Sequence, residues 1–173
     1  MHLSFYSYIC TKLNIRMKIE FWMQGATAFD YIKSGVEIYD KRLKHFIPFE
    51  IYTFADIKNA KSLSEDQLNT KEGEQQLKKI EQGDYLVLLD ERGKQYSSLQ
   101  FSEYLENQFQ LSHKRIIFLI GGAYGFSDAV YQRANAQWSL SKLTFSHQMV
   151  RLFVVEQLYR ALSIQRGLPY HHE

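Results

Sequence analysis

Short apolar runs separated by segments of helical spacing constrain this chain more than any other feature of its sequence. KIEFWM (18–23), FEIYTF (49–54), YLVLLD (85–90) and IIFLI (116–120) are each only a strand long. Alternation of this kind specifies an α/β fold built on a mostly parallel sheet. The run that ends at Asp90 is apolar throughout, the pattern of a strand buried on both faces. QWSLS (137–141) supplies a short fifth strand.

Helices are expected between these strands. Over 30–44, Tyr31, Val36 and Tyr39 share an inward face, while Lys33, Glu37 and Lys41 face water. The polar segment 55–69 reads as an irregular surface loop. KEGEQQLKKIEQ (71–82) has few apolar anchors and reads as a solvated surface helix, and RGKQYSS (92–98) reads as a loop. Ser98 is placed to cap a helix over 99–108, and Ser127-Asp128 to cap one reaching Ala136. The last helix, 147–166, ends at Gly167 and is apolar over two sides. Val150, Val154, Leu158 and Ala161 mark one side; Leu152, Val155, Tyr159 and Leu162 mark the other. So wide an apolar surface belongs in the core or against a second subunit.

Length limits the architecture to one domain, 17–173, and no repeat or linker divides it. Residues 1–16 read as a disordered or non-native extension, because Met17 opens directly into the first strand. A formal net charge of +2 excludes nucleic-acid binding by bulk charge and requires a local patch for any RNA partner. Cys10 is the single cysteine, which rules out an intrachain disulfide and suits a cytoplasmic protein. No run is long enough for a membrane helix.

IIFLIGGAYGF (116–126) carries the strongest hint of a site. Its G-G-x-x-G departs in spacing and place from a dinucleotide fingerprint, and Gly93-Lys94 lacks the Ser or Thr of a P-loop. A tight turn alone accounts for glycines equally well. Their position at a strand's carboxyl end, near Leu89-Asp90 and the segment 140–147, favours a nucleoside-like ligand without phosphates. The histidines are scattered without metal-ligand spacing, so no metal is expected. His147 sits where a loop meets a helix, and His171 and His172 close the chain. Arg160 stands four residues after Glu156, which fits a surface ion pair; it or Arg151 could instead enter a substrate cleft.

FLIGGAYGF, WSLSKLTFSHQMVR, VEQLYRA and the terminal PYHHE, in this order, resemble the large-subunit rRNA methyltransferase H family. TKEGEQQL and LDERGKQYSS resemble its middle portion, and the likeness covers Met17 to the C-terminus. Ser146 departs from the family's pattern, which commonly has proline before the histidine.

The resemblance implies a SPOUT-type α/β fold with a C-terminal trefoil knot and a homodimer. The implied reaction is S-adenosylmethionine-dependent methylation of N3 of a pseudouridine in 23S rRNA. Carried over by position, the cofactor site comprises Leu89, Gly121, Leu140, Ser141, Lys142, Leu143, Thr144 and Phe145. For that reaction His171 or His147 is expected to act as the base or proton relay, Arg160 to stabilise negative charge on the neighbouring carbonyl oxygens, and Tyr170 to stack on the target base or fix its angle. With no appended RNA-binding domain, the assembled ribosome is the expected partner; DNA and membrane are not. A SPOUT enzyme acting on another RNA such as tRNA, or a non-catalytic ribosome-binding protein, are the alternative readings.

Overall fold

A computed structural model describes residues 17–170. The extension expected over 1–16, and His171 and His172, lie outside the described residues. Five strands form one sheet: β1 (Ile19–Gln24), β2 (Phe49–Phe54), β3 (Asp84–Lys94), β4 (Arg115–Ile120) and β5 (Ala136–Trp138). Their order is β2-β1-β4-β3-β5, and every pairing is parallel. Between them run α1 (Asp30–Lys44), α2 (Glu65–Lys79), α3 (Ser98–Phe109), α4 (Asp128–Arg133) and, after β5, α5 (His147–Gln165).

Strand alternation divides the core into two layers. On β4, Ile116, Phe118 and Ile120 face α1, α3 and α5, while Ile117 and Leu119 face α2 and α4. The first layer is closed by Ile32, Val36 and Leu43 of α1, Phe101 and Leu105 of α3, and Val154, Val155, Leu158, Ala161 and Leu162 of α5. Phe101 stacks on Trp138 at 4.0 Å between ring centroids, which binds α3 to the short β5. The second layer holds Trp22, Leu86, Leu88, Phe126 and Val130.

Several local expectations need correction. Tyr31 is 63% exposed and stacks on Phe29; the inward stripe of α1 runs through Ile32, Val36 and Leu43, one residue out of step with Tyr31. The segment 55–69 is not one loop, because a 3-10 turn forms at Ala60–Ser62 and α2 begins at Glu65. The missed signal is a capping box in which Ser64 accepts from the Gln67 N–H and Gln67 accepts from the Ser64 N–H. α2 is not merely a solvated helix: it buries Glu72, Gly73 and Gln76, a polar face that apolar periodicity cannot reveal. β3 runs on to Lys94, so 92–94 belong to a strand, and Ser97 rather than Ser98 caps α3. α4 stops at Arg133 and β5 at Trp138, each short of the expected end.

The N-terminal turns of α5 are fastened to the segment that follows β1. Arg151, 1% exposed, donates to the Gln24 and Gly25 carbonyls at 2.7 and 3.0 Å and to Thr27 Oγ1 at 2.9 Å. Gln148 accepts from the Ala28 N–H at 2.9 Å and donates to the Ala26 carbonyl at 3.3 Å. Arg151 is therefore a brace and does not enter a cleft. Arg151→Ala leaves buried carbonyls unpaired, and a loss of about 3 kcal/mol is expected by urea denaturation. An unchanged midpoint and slope would show the brace to be dispensable.

Candidate functional site

A cavity of about 640 Å³ opens beyond the carboxyl ends of β4, β3 and β5. One wall is the turn after β4, residues 121–126; the opposite wall is the segment 139–147 leading into α5; Leu89 to Arg92 of β3 complete it. Glycine fills three of the six positions of this turn. Gly125 has φ +84°, a conformation that L side chains rarely adopt, and its N–H donates to the Gly122 carbonyl at 3.3 Å. A Cβ on Gly121 would lie 2.5 Å from the Gly125 carbonyl oxygen, and one on Gly122 2.4 Å from Glu72 Oε2.

The opposite wall is held by short side chains. Ser139 donates to the Ser141 carbonyl at 2.9 Å, and Ser141 Oγ accepts from the Leu143 N–H at 3.0 Å. Ser146 Oγ accepts from the Met149 N–H at 3.3 Å and so caps α5. The departure from proline at this position therefore exchanges a fixed φ for an N-cap.

Three ionisable groups shape the cavity's field. Burial opposes ionisation of Asp90, but hydrogen bonds from Arg92 and Tyr131 outweigh it and hold the carboxyl below its usual range. Burial, with Asp90 beside it, pushes the Tyr131 phenol up to about 12. Desolvation and the nearby Arg151 cation hold His147 below the ordinary imidazole range, which leaves it neutral at pH 7. Behind the glycine turn, burial and then the Asp56 charge push Glu72 up to about 7, against the opposing bond from the Gly122 N–H.

Of the residues singled out from sequence, Leu89, Gly121, Leu140, Ser141, Leu143, Thr144, Phe145 and His147 all line this one cavity. Lys142 is exposed and stands outside the lining. Arg160 and Tyr170 are gathered elsewhere. Arg160 donates to Glu156 at 2.6 Å, while the Tyr170 hydroxyl lies 2.9 Å from that of Tyr39 and donates to Glu156 at 3.2 Å. Thirteen residues of helix separate Arg160 from His147, or roughly 20 Å of axial rise. Sequence reasoning missed Glu72 as a residue of the site. The signal available was TKEGEQQL (70–77), which carries Glu72 and resembles a family segment.

Against known proteins, the family model described as "Predicted SPOUT methyltransferase" matches residues 17–171. The Ribosomal RNA large subunit methyltransferase H of Parabacteroides distasonis is 53% identical over 91% of this chain and 100% of that protein. The protein of the same name from Christiangramia forsetii is 50% identical over 90% of this chain and 99% of its own length.

This chain belongs to the rRNA large subunit methyltransferase H family, within the SPOUT methyltransferases.

Among solved structures, the SpoU methyltransferase AviRb of Streptomyces viridochromogenes, in complex with the cofactor AdoMet, aligns with a TM-score of 0.42 at 12% identity. That alignment covers 86% of this chain and 58% of AviRb, too loose a likeness to carry an inference. No group of His, Cys, Asp and Glu among the described residues could hold a metal ion. No helix among the described residues is long and apolar enough to cross a membrane.

The raised Glu72 pKa has a definite sign for stability. The native state keeps this proton up to about pH 7, whereas the unfolded chain releases it near 4.5, so stability falls as pH rises through that window. Glu72→Gln keeps an acceptor for the Gly122 N–H and removes the loss. Its thermal midpoint is expected several degrees above that of the parent at pH 8, with the gap closing by pH 5. Equal midpoints at pH 8 would show that the carboxylate is not destabilising in the fold.

Proposed function

We propose that this methyltransferase transfers a methyl group from S-adenosylmethionine to N3 of a pseudouridine in 23S rRNA. It would act as a homodimer on the assembled ribosome in the cytoplasm. The observation that carries the reading is the cavity at the strand ends, lined by a glycine turn and by the segment leading into α5 and edged by a neutral histidine. The relatives' shared name, which specifies ribosomal RNA, supports the substrate class.

The lining fits the methyl donor. Ile120, Leu140 and Phe145 offer apolar walls for a flat ring, and the glycine turn and segment 140–145 offer N–H and C=O groups for its edge. No phosphate cradle is present: Arg92 lines the cavity but is committed to Asp90 and Tyr131. S-adenosylmethionine, when bound, supplies a methyl group already activated on a sulfonium, so alignment and exclusion of water are the protein's main contributions. Leu89, Gly121, Leu140, Ser141, Leu143, Thr144 and Phe145 would hold it, with exposed Lys142 at the margin.

The acceptor nitrogen must lose its proton as the N–C bond forms. His147, neutral at pH 7, is suited to receive it; His171 is the second candidate. Arg160, far along α5, and Tyr170, beyond its end, stand away from the cavity of their own chain, so in this reading they serve the cavity of a second copy lying antiparallel along α5. The half-exposed Leu152, Phe153, Glu156 and Gln157 suit such a contact. There Arg160 would stabilise charge on the uracil oxygens and Tyr170 would stack on the ring. The knotted path after β5 that the family resemblance implies belongs to the same proposal.

Mass spectrometry of rRNA from a strain lacking the gene is expected to show one methyl group lost from a single pseudouridine of 23S rRNA. An unchanged 23S map with a methyl lost from tRNA would overturn the substrate assignment. On ribosomes, His147→Ala is expected to lower kcat about 100-fold with little change in donor affinity. A near-normal kcat would remove His147 from the mechanism.

The shared site makes a separate prediction. Mixing His147→Ala and Arg160→Ala chains gives mixed dimers with one doubly altered and one intact site, so activity should recover to roughly a quarter of normal. Failure to recover would place both residues in the site of a single chain.

A further inference from the structure

Glu72 is out of keeping with its surroundings. It is 8% exposed, on the buried face of a helix, with its carboxylate directly behind Gly122 of the cavity wall. The Gly122 N–H donates to it, while Asn69, on the preceding turn of α2, donates to the Tyr124 carbonyl at 3.0 Å. α2 thus grips the glycine turn at two points. A neutral acceptor such as glutamine would satisfy the same N–H without burying a charge. The carboxylate therefore costs stability at neutral pH where a neutral alternative exists, which is how functional sites commonly depart from the stability optimum.

We propose that Glu72 is a positioning and specificity-determining residue, which fixes the Gly122 main chain and places negative charge behind the cavity wall to favour a cationic ligand over a neutral one. The proposal rests on the methyl-donor reading. Under that reading the reaction converts a sulfonium cation into a neutral thioether, S-adenosylhomocysteine. A negative charge screened from water by one peptide distinguishes the two, holding the donor and easing departure of the product.

Asp90, paired with Arg92, and Glu91 also line the cavity; Glu72 differs from them in standing against the Gly122 main chain. The turn 121–126 contains no charged side chain. α4 presents Ser127 and Val130 to the neighbouring Gly73. Asp56, after β2, is the acidic neighbour, and it also interacts with Arg151 of α5. Because Glu72 titrates near pH 7, the preference for the cation should rise with pH.

The test is calorimetric and needs no turnover. Affinities for S-adenosylmethionine and S-adenosylhomocysteine are measured at about pH 6 and about pH 8.5 in the parent protein and in Glu72→Gln. In the parent, the ratio of donor to product affinity is expected to rise roughly threefold or more across this range; in Glu72→Gln it should stay flat. An equal rise in both proteins would assign the effect to another group, such as His147, and overturn the proposal. A flat ratio in the parent overturns it whatever the variant does. If the parent binds neither ligand, the methyl-donor reading fails and the proposal falls with it; binding with a flat ratio sinks the proposal alone.

Discussion

Where β4 ends, the chain turns back on itself in a space that admits no side chain. The Gly125 carbonyl closes on Gly121 from one side and Glu72 on Gly122 from the other. That crowding leaves only main chain at Gly121 and Gly122 on this side of the cavity, beside Tyr124 and Phe126. β3 and β5, paired in parallel beside β4, bring Leu89 and Trp138 to the same end of the sheet. The segment after β5 returns over this end before α5 begins. A ring with polar edges and apolar faces, as in the proposed methyl donor, suits such a surface.

α5 connects this site to the remainder of the molecule. Its first turns, which begin at His147, are pinned to the chain after β1 through Arg151 and Gln148. Its middle fills the core layer against α1 and α3. Its last turns carry Arg160 into a cluster with Glu156, Tyr170 and Tyr39. The two ends of one rigid helix cannot meet within a chain, so the role proposed for Arg160 requires a second copy.

Much of the fold was legible in the sequence because apolar runs and helical spacing report burial directly. The five strands and α5 follow from that signal, and the glycine turn from its place after β4. Polar burial was not legible. Glu72 and Gln76 look like a solvated face until the packing of α2 is known, and Tyr31 looks inward until the phase of α1 is fixed by Ile32 and Leu43. In the site, most lining residues came from the family likeness within one short segment, 140–145, of which Lys142 alone stands outside the lining. Arg151 was ambiguous for the opposite reason: its carbonyl partners, on Gln24 and Gly25, lie more than a hundred residues away in the chain.

The most direct measurement is a crystal structure of the protein with S-adenosylmethionine at saturating concentration. The adenosine should lie between the glycine turn and the segment 140–145, its ring edge meeting main-chain groups and its methyl directed toward His147. Donor density at any other surface, with this cavity closed by the protein's own side chains, would contradict the account.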